Sequence, residues 1–126
     1  NEANLNLVKA LNIFKNYGNL DIGQSLIVQN EIVLGLEAAE GTDKLIKRCN
    51  DLKRIGDKGV LIKASKYNQS NILDVPTIGT QTLKLLIEND YEGLFIEKNN
   101  CLIIDQEEVV NLANNNNLFI STFEKL

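Results

Sequence analysis

The spacing of apolar residues switches back and forth between the period of a helix and that of a strand. This alternation narrows the possible architectures more than any other property of the chain. Leu7, Val8, Leu11 and Phe14 fall on one stripe, which predicts a helix over residues 3–16 that stops at Tyr17-Gly18-Asn19. Two β-rich runs, Ser25–Gln29 and Ile32–Leu36, meet at Asn30-Glu31 and read as a hairpin. Thr42 is the expected N-cap of a second helix, with Asp43 in its first turn and Leu45, Cys49 and Leu52 as its buried stripe. After a turn at 56–59, the run Gly59-Val-Leu-Ile-Lys-Ala64 is apolar enough for a central strand buried on both faces. Residues 66–73 read as polar and irregular, and Pro76 forces Asp74 and Val75 into extended backbone.

Gly79 or Thr80 is expected to cap a third helix that carries Leu83, Leu86 and Ile87. Residues 93–97 and 101–104 read as a second hairpin across Asn99-Asn100. Asp105 with Glu108 reads as a capping box, and Ile104 with Val109 as a hydrophobic staple. Residues 118–122 are a last strand. Strands alternating with helices over 126 residues, one domain's length, give the fold class α/β: a single domain with a mixed β-sheet flanked by helices.

Composition matters most through one absence. The chain has no His, which removes Ser-His-Asp and Cys-His catalysis and the commonest transition-metal ligand together. Chemistry here must run on carboxylates, Lys, hydroxyls, backbone amides or a hard metal ion. Cys49 and Cys101 form no CxxC pair and are expected to be free, buried thiols in a reducing cytosol. The chain opens at Asn1 and holds no Met, so it is expected to be a processed chain or an excised domain. No run reaches the roughly 18 apolar residues that a membrane-spanning helix needs.

The net charge of −4 argues against nonspecific nucleic-acid binding. The charge is unevenly placed: from Lys44 to Lys66 eight basic residues stand against Asp51 and Asp57 alone, between acidic flanks. A phosphorylated ligand or an anionic membrane surface would suit that segment, and so would a solvated helix face.

Three clusters put polar groups where a core would not want them. Glu37-Ala-Ala-Glu40-Gly41-Thr42-Asp43 sets three carboxylates between a strand and a helix N-terminus, an arrangement able to hold Mg²⁺ or to receive a phosphate. It also suits a helix whose acids simply complement its dipole. Asp74-Val75-Pro76-Thr77-Ile78-Gly79-Thr80 places an acid on a rigid turn before another helix N-terminus, and an Asp-initiated turn accounts for it equally. Lys63 closes the central strand, where it either meets a ligand or reaches out to solvent.

The order of these motifs carries a resemblance. Asp21-Ile-Gly23-Gln24-Ser-Leu-Ile-Val28, Leu36-Glu37-Ala-Ala-Glu40-Gly41-Thr42-Asp43, Gly59-Val-Leu-Ile-Lys63 and Leu73-Asp74-Val75-Pro76-Thr77-Ile78-Gly79-Thr80 follow one another between Ala3 and Phe123. Gly93-Leu-Phe-Ile-Glu97, Leu102-Ile-Ile-Asp105 and Leu118-Phe-Ile120 complete the series. The chain resembles the C-terminal domain of the bacterial UDP-2,3-diacylglucosamine pyrophosphatases of lipid A biosynthesis, of the type unrelated to calcineurin-like metallophosphoesterases.

The resemblance implies a two-domain hydrolase whose N-terminal nucleotide-type domain lies outside residues 1–126, with the active site between the domains. The reaction would be Mg²⁺-dependent attack of water at the α-phosphorus, giving UMP and 2,3-diacylglucosamine 1-phosphate. Carried over motif by motif, Asp74 is the expected essential acid, with Asp43 and Glu40 beside it in catalysis. Asp74, Glu37 and Glu40 are the expected Mg²⁺ ligands, and Thr42, Lys63, Thr77, Gly79 and Gln24 the expected substrate contacts.

The expected partners are UDP-2,3-diacylglucosamine, the enzyme's own N-terminal domain and, peripherally, the cytoplasmic face of the inner membrane. Self-association into a homo-oligomer is left open, and the isolated residues are expected to be inactive. Two other readings stay beside this one: a noncatalytic regulatory domain that binds a phosphorylated ligand at the helix N-termini, and an oligomerisation module with scattered acids.

Overall fold

The structure is a computed structural model that describes residues 1–17, 25–67, 73–74 and 76–124, with the backbone alone at 17, 66, 67, 73 and 74. Helix α1 (Glu2–Tyr17) leads to the strands β1 (Ser25–Gln29) and β2 (Ile32–Leu36), then to α2 (Thr42–Asn50) and β3 (Val60–Lys63). Three short strands follow: β4 (Lys66–Tyr67), β5 (Leu73–Asp74) and β6 (Thr77–Ile78). The chain continues with α3 (Thr80–Glu88), β7 (Gly93–Glu97), β8 (Leu102–Ile103), α4 (Gln106–Asn115) and β9 (Phe119–Phe123).

The main sheet has the order β2-β1-β3-β7-β9. β1 runs antiparallel to both β2 and β3, whereas β3, β7 and β9 run parallel, so the expected mixed α/β sheet is present. Every residue of β1, β3 and β7 is buried, as continuous apolar runs require when both faces are covered.

Alternation along the strands divides the core in two. Ile27, Leu61, Leu94 and Ile96 face α2, α3 and α4 through Leu45, Ile46, Leu83, Leu86 and Val109. Leu26, Val28, Val60, Ile62 and Phe95 face α1 through Ala3 and Ala10. Each such fully buried Leu or Ile contributes about 1.5–3 kcal/mol, which makes the sheet a rigid platform for whatever its ends carry. Gly93 is fixed by packing, because any Cβ there would run into the Phe119 ring on β9. Among the described residues no helix is long and apolar enough to cross a membrane.

Several local expectations need correction. β7 and β8 are not a hairpin: β7 pairs with β3 and β9, and β8 pairs in parallel with β6, Thr77 opposite Leu102. A strand buried on both faces needs neighbours on both edges, and the two-residue β8 cannot supply them. The segment read as irregular contains a small antiparallel ladder, β4 with β5, in which Lys66 pairs with Asp74. The N-cap of α2 is Gly41 at φ 87°, not Thr42, whose hydroxyl is turned to another partner. Asp105 is the N-cap of α4, but it sits in the left-handed region and makes no side-chain capping bond, so the capping box does not form.

Candidate active site

β3 and β7 both end in a charge. Along β3 the alternation that turns Leu61 toward α2 and α3 also turns Lys63 to that face. Lys63 is 7% exposed, and its Nζ donates to the Thr77 carbonyl at 2.8 Å. Burial pushes its ammonium pKa down, while Glu37, Cys101 and Asp43 act electrostatically in the opposite direction. The cation therefore lies within the field of two carboxylates.

Hydroxyls stitch the surrounding elements together. Ser25, the register partner of Lys63, shares a 3.0 Å hydrogen bond with Thr42 Oγ1, and Thr42 also donates to Glu37 Oε2 at 3.4 Å. Thr82 in the first turn of α3 donates to Asp43 Oδ1 in the first turn of α2 at 2.9 Å. The N-termini of α2 and α3 are thereby held side by side, and Lys63 lies within the electrostatic reach of Asp43 at the first of them. Paired helix N-termini and a cation favour anionic groups, and Glu37 and Asp43 add hard oxygen donors.

On the α1 face, one residue further along β7, Glu97 is 3% exposed. Its Oε1 accepts the Ser65 N–H at 3.1 Å, and its Oε2 accepts the Ser65 hydroxyl at 2.7 Å and the Asn100 amide at 2.5 Å. The carboxyl ends of β3 and β7 thus carry a buried cation on one face and a buried anion on the other.

Of the residues singled out in the sequence, Glu37, Thr42, Asp43, Lys63 and the Thr77 backbone converge here. The Thr77 side chain is exposed, and Gly79 is the half-buried N-cap of α3 in extended backbone. Glu40 is engaged elsewhere: its carboxylate binds Arg48 at 2.9 Å, and that hydrogen bond holds its pKa below the usual carboxylate range. Gln24 and the side chain of Asp74 lie outside the described residues, although the Asp74 backbone is placed by its pairing with Lys66.

Sequence reasoning passed over Ser25, Ser65, Thr82 and Glu97. For Ser25, Ser65 and Glu97 the signal was a polar residue at or just past the end of an apolar run, weak for any one strand and clear only once the strands are known to be neighbours; Thr82, in the first turn of α3, carried no such signal. Both thiols are free, and burial raises both; Cys49 is buried and Cys101 half-buried, with Lys63 drawing the latter back down. Leu102 and Ile104, 60% and 54% exposed, leave apolar surface along the β6–β8 ladder.

A family model described as the LpxI C-terminal domain matches residues 1–121. The UDP-2,3-diacylglucosamine pyrophosphatase LpxI of Caulobacter vibrioides is 36% identical over 121 residues, covering 89% of this chain. The chain spans less than half of that protein, 42% of its length.

Proposed function

The chain belongs to the LpxI C-terminal domain family, and from that premise we propose that it forms one side of the active site of a two-domain UDP-2,3-diacylglucosamine pyrophosphatase. The observation that carries the reading is the convergence of Lys63, Glu37 and Asp43 with two helix N-termini at the carboxyl ends of parallel strands. That is where ligands bind in open α/β sheets. The site needs no imidazole, in keeping with a chain that has no His.

In this reading the helix N-termini and Lys63 receive the anionic diphosphate, with Thr42, Thr77, Gly79 and Gln24 as further contacts. Asp74, assisted by Asp43 and by Glu40 once it is released from Arg48, orients the water and takes its proton. The water oxygen bonds to the α-phosphorus, the bond from that phosphorus to the bridging oxygen breaks, and UMP and 2,3-diacylglucosamine 1-phosphate leave. Exposed Leu102 and Ile104 offer apolar surface to a diacylated ligand.

Mg²⁺ typically uses one or two carboxylates together with substrate phosphate and water. Among the described residues no group of three or more His, Cys, Asp or Glu could hold a metal. Glu37 fits the smaller demand, Glu40 would first have to leave Arg48, and Asp74 completes the proposed set. When bound, the ion would neutralise charge on the phosphoryl oxygens. A diacylated substrate would draw the enzyme, in this reading, into peripheral contact with the cytoplasmic face of the inner membrane.

The test is UMP release from UDP-2,3-diacylglucosamine by the two-domain enzyme, with and without Mg²⁺. Asp74→Ala is expected to lower kcat by about 10³-fold with substrate binding retained. Normal turnover in that variant rejects the assignment. Residues 1–126 alone are expected to be inactive, and robust activity from them rejects a site shared between domains.

A further inference from the structure

The geometry points to Glu97 as a positioning residue for Asp74, an inference that rests on the pyrophosphatase reading above. A carboxylate taken out of water must have its oxygens bonded, and both oxygens of Glu97 are. At 3% exposure, with its oxygens bonded to Ser65 and Asn100, it acts through those parts of the chain.

Among the described residues its donors come from two places. Ser65 lies in the two-residue segment between β3 and β4, and Asn100 lies in the turn that leaves β7. Glu97 therefore ties together the exits of two adjacent parallel strands. Ser65 is followed at once by β4, and β4 holds β5 in the register Lys66 to Asp74 and Tyr67 to Leu73. The Asp74 backbone is thus referenced to the central sheet through Glu97, Ser65 and one backbone ladder. Lys63 fixes the other flank by holding the Thr77 carbonyl.

A neutral amide could close the same turn. A carboxylate makes shorter and stronger bonds, and here it grips one residue with both oxygens. That stiffness matters where a reacting group must be placed closely, since an error of about 1 Å can cost about 10²-fold in rate.

The experiment measures UMP release by the two-domain enzyme carrying Glu97→Gln, Ser65→Ala, Asp74→Ala and the Glu97→Gln/Asp74→Ala double substitution. Glu97→Gln is expected to lower kcat by about 10²-fold with KM changed by less than about twofold, and Ser65→Ala by about tenfold. In the Asp74→Ala background Glu97→Gln is expected to cost nothing further, because the group it positions is gone.

Wild-type kcat in Glu97→Gln, or an equal further loss in the Asp74→Ala background, overturns the inference. If Glu97→Gln does not fold, Ser65→Ala alone and combined with Asp74→Ala decides on the same criterion, since it removes one donor and leaves the carboxylate bonded to the main chain. Normal turnover in Asp74→Ala would instead reject the pyrophosphatase reading and this inference with it. An inactive Asp74→Ala beside a normal Glu97→Gln rejects the positioning role alone.

Discussion

The two ends of β3 are both crowded with polar side chains, yet they use them differently. At its amino end Gln29, 2% exposed, donates to the carbonyls of Arg54 and Asp57 at 2.8 and 2.6 Å and accepts the Arg54 N–H at 2.8 Å. Asn30 and Asp57 accept each other's backbone N–H at 3.0 Å, and Asp57 also accepts the Gly59 N–H at 2.9 Å. These partners are main-chain groups of two turns, so the network closes a loop. At the carboxyl end the buried groups are formal charges, Lys63 and Glu97, and the hydroxyls bridge from one element to another. Polar density alone does not mark a site. Buried charge beside helix N-termini does, because it costs stability that main-chain closure would not.

The basic segment divides along the same line. Lys53 donates to the carbonyls of Asn89 and Asp90 at the end of α3 and lies 3.9 Å over the Tyr91 ring, and Lys58 pairs with Asp90 at 3.3 Å. These cations serve the amino end and the terminus of a helix, whose dipole favours them. Of the stretch that reads in the sequence as positive, Arg48, Lys53 and Lys58 are held in structural contacts, and Lys63 lies at the candidate site.

Substitutions at the two ends should separate activity from stability. The largest effect is expected for Lys63→Met, which keeps the stem and removes the donor to Thr77: kcat/KM for UMP release should fall about 10²-fold. An unchanged value would move the carboxyl end into the same class as the amino end.

Gln29→Leu should do the reverse. It strands a buried backbone N–H and two carbonyls, which costs about 3 kcal/mol in denaturant unfolding, while turnover per folded molecule stays at the wild-type value. A loss of turnover there would break the contrast.

The smallest effect belongs to Glu92, the exception at the amino end, whose buried Oε2 has no hydrogen-bond partner among the described residues. Burial raises its carboxyl pKa, and Asp57 and Glu2 add to the shift while Lys58 opposes it. A raised folded-state value means that the folded chain holds the proton more tightly than the unfolded chain. Stability is therefore lost as pH rises from the ordinary carboxylate range through the folded value. Glu92→Gln should raise the melting temperature at about pH 7 and change it little at about pH 4. A gain of the same size at both pH values would refute the assignment.

The parts of this fold written in local sequence were legible. Helix α1, the β1–β2 hairpin and the buried character of β3 follow from periodicity and turn residues within one window. The pairing of β7 was not, because parallel partners lie far along the chain and nothing in the run from Gly93 to Glu97 names them. The turn-like Asn99-Asn100 pointed instead to a nearby hairpin. Thr42 was misplaced as a cap for a related reason: its hydroxyl serves Ser25, seventeen positions away. The site was legible in the same proportion. Its acids, Thr42 and Lys63 stood in motifs, whereas Glu97 and Ser65 became visible only through the adjacency of β3 and β7.

That adjacency also sets when the site comes into being. The β1–β2 hairpin joins neighbouring residues and can close early, but Val60 must find Gly93, and Gly93 must find Phe119, across intervening helices. Such long-range parallel pairings are the slow steps of folding. Until they form, Lys63 and Glu97 remain solvated and the Asp74 ladder has no sheet to hang from. The carboxyl end of β3 and β7 is then the last part of the domain to mature, and a chain halted on the way would carry a finished hairpin with the candidate site unassembled.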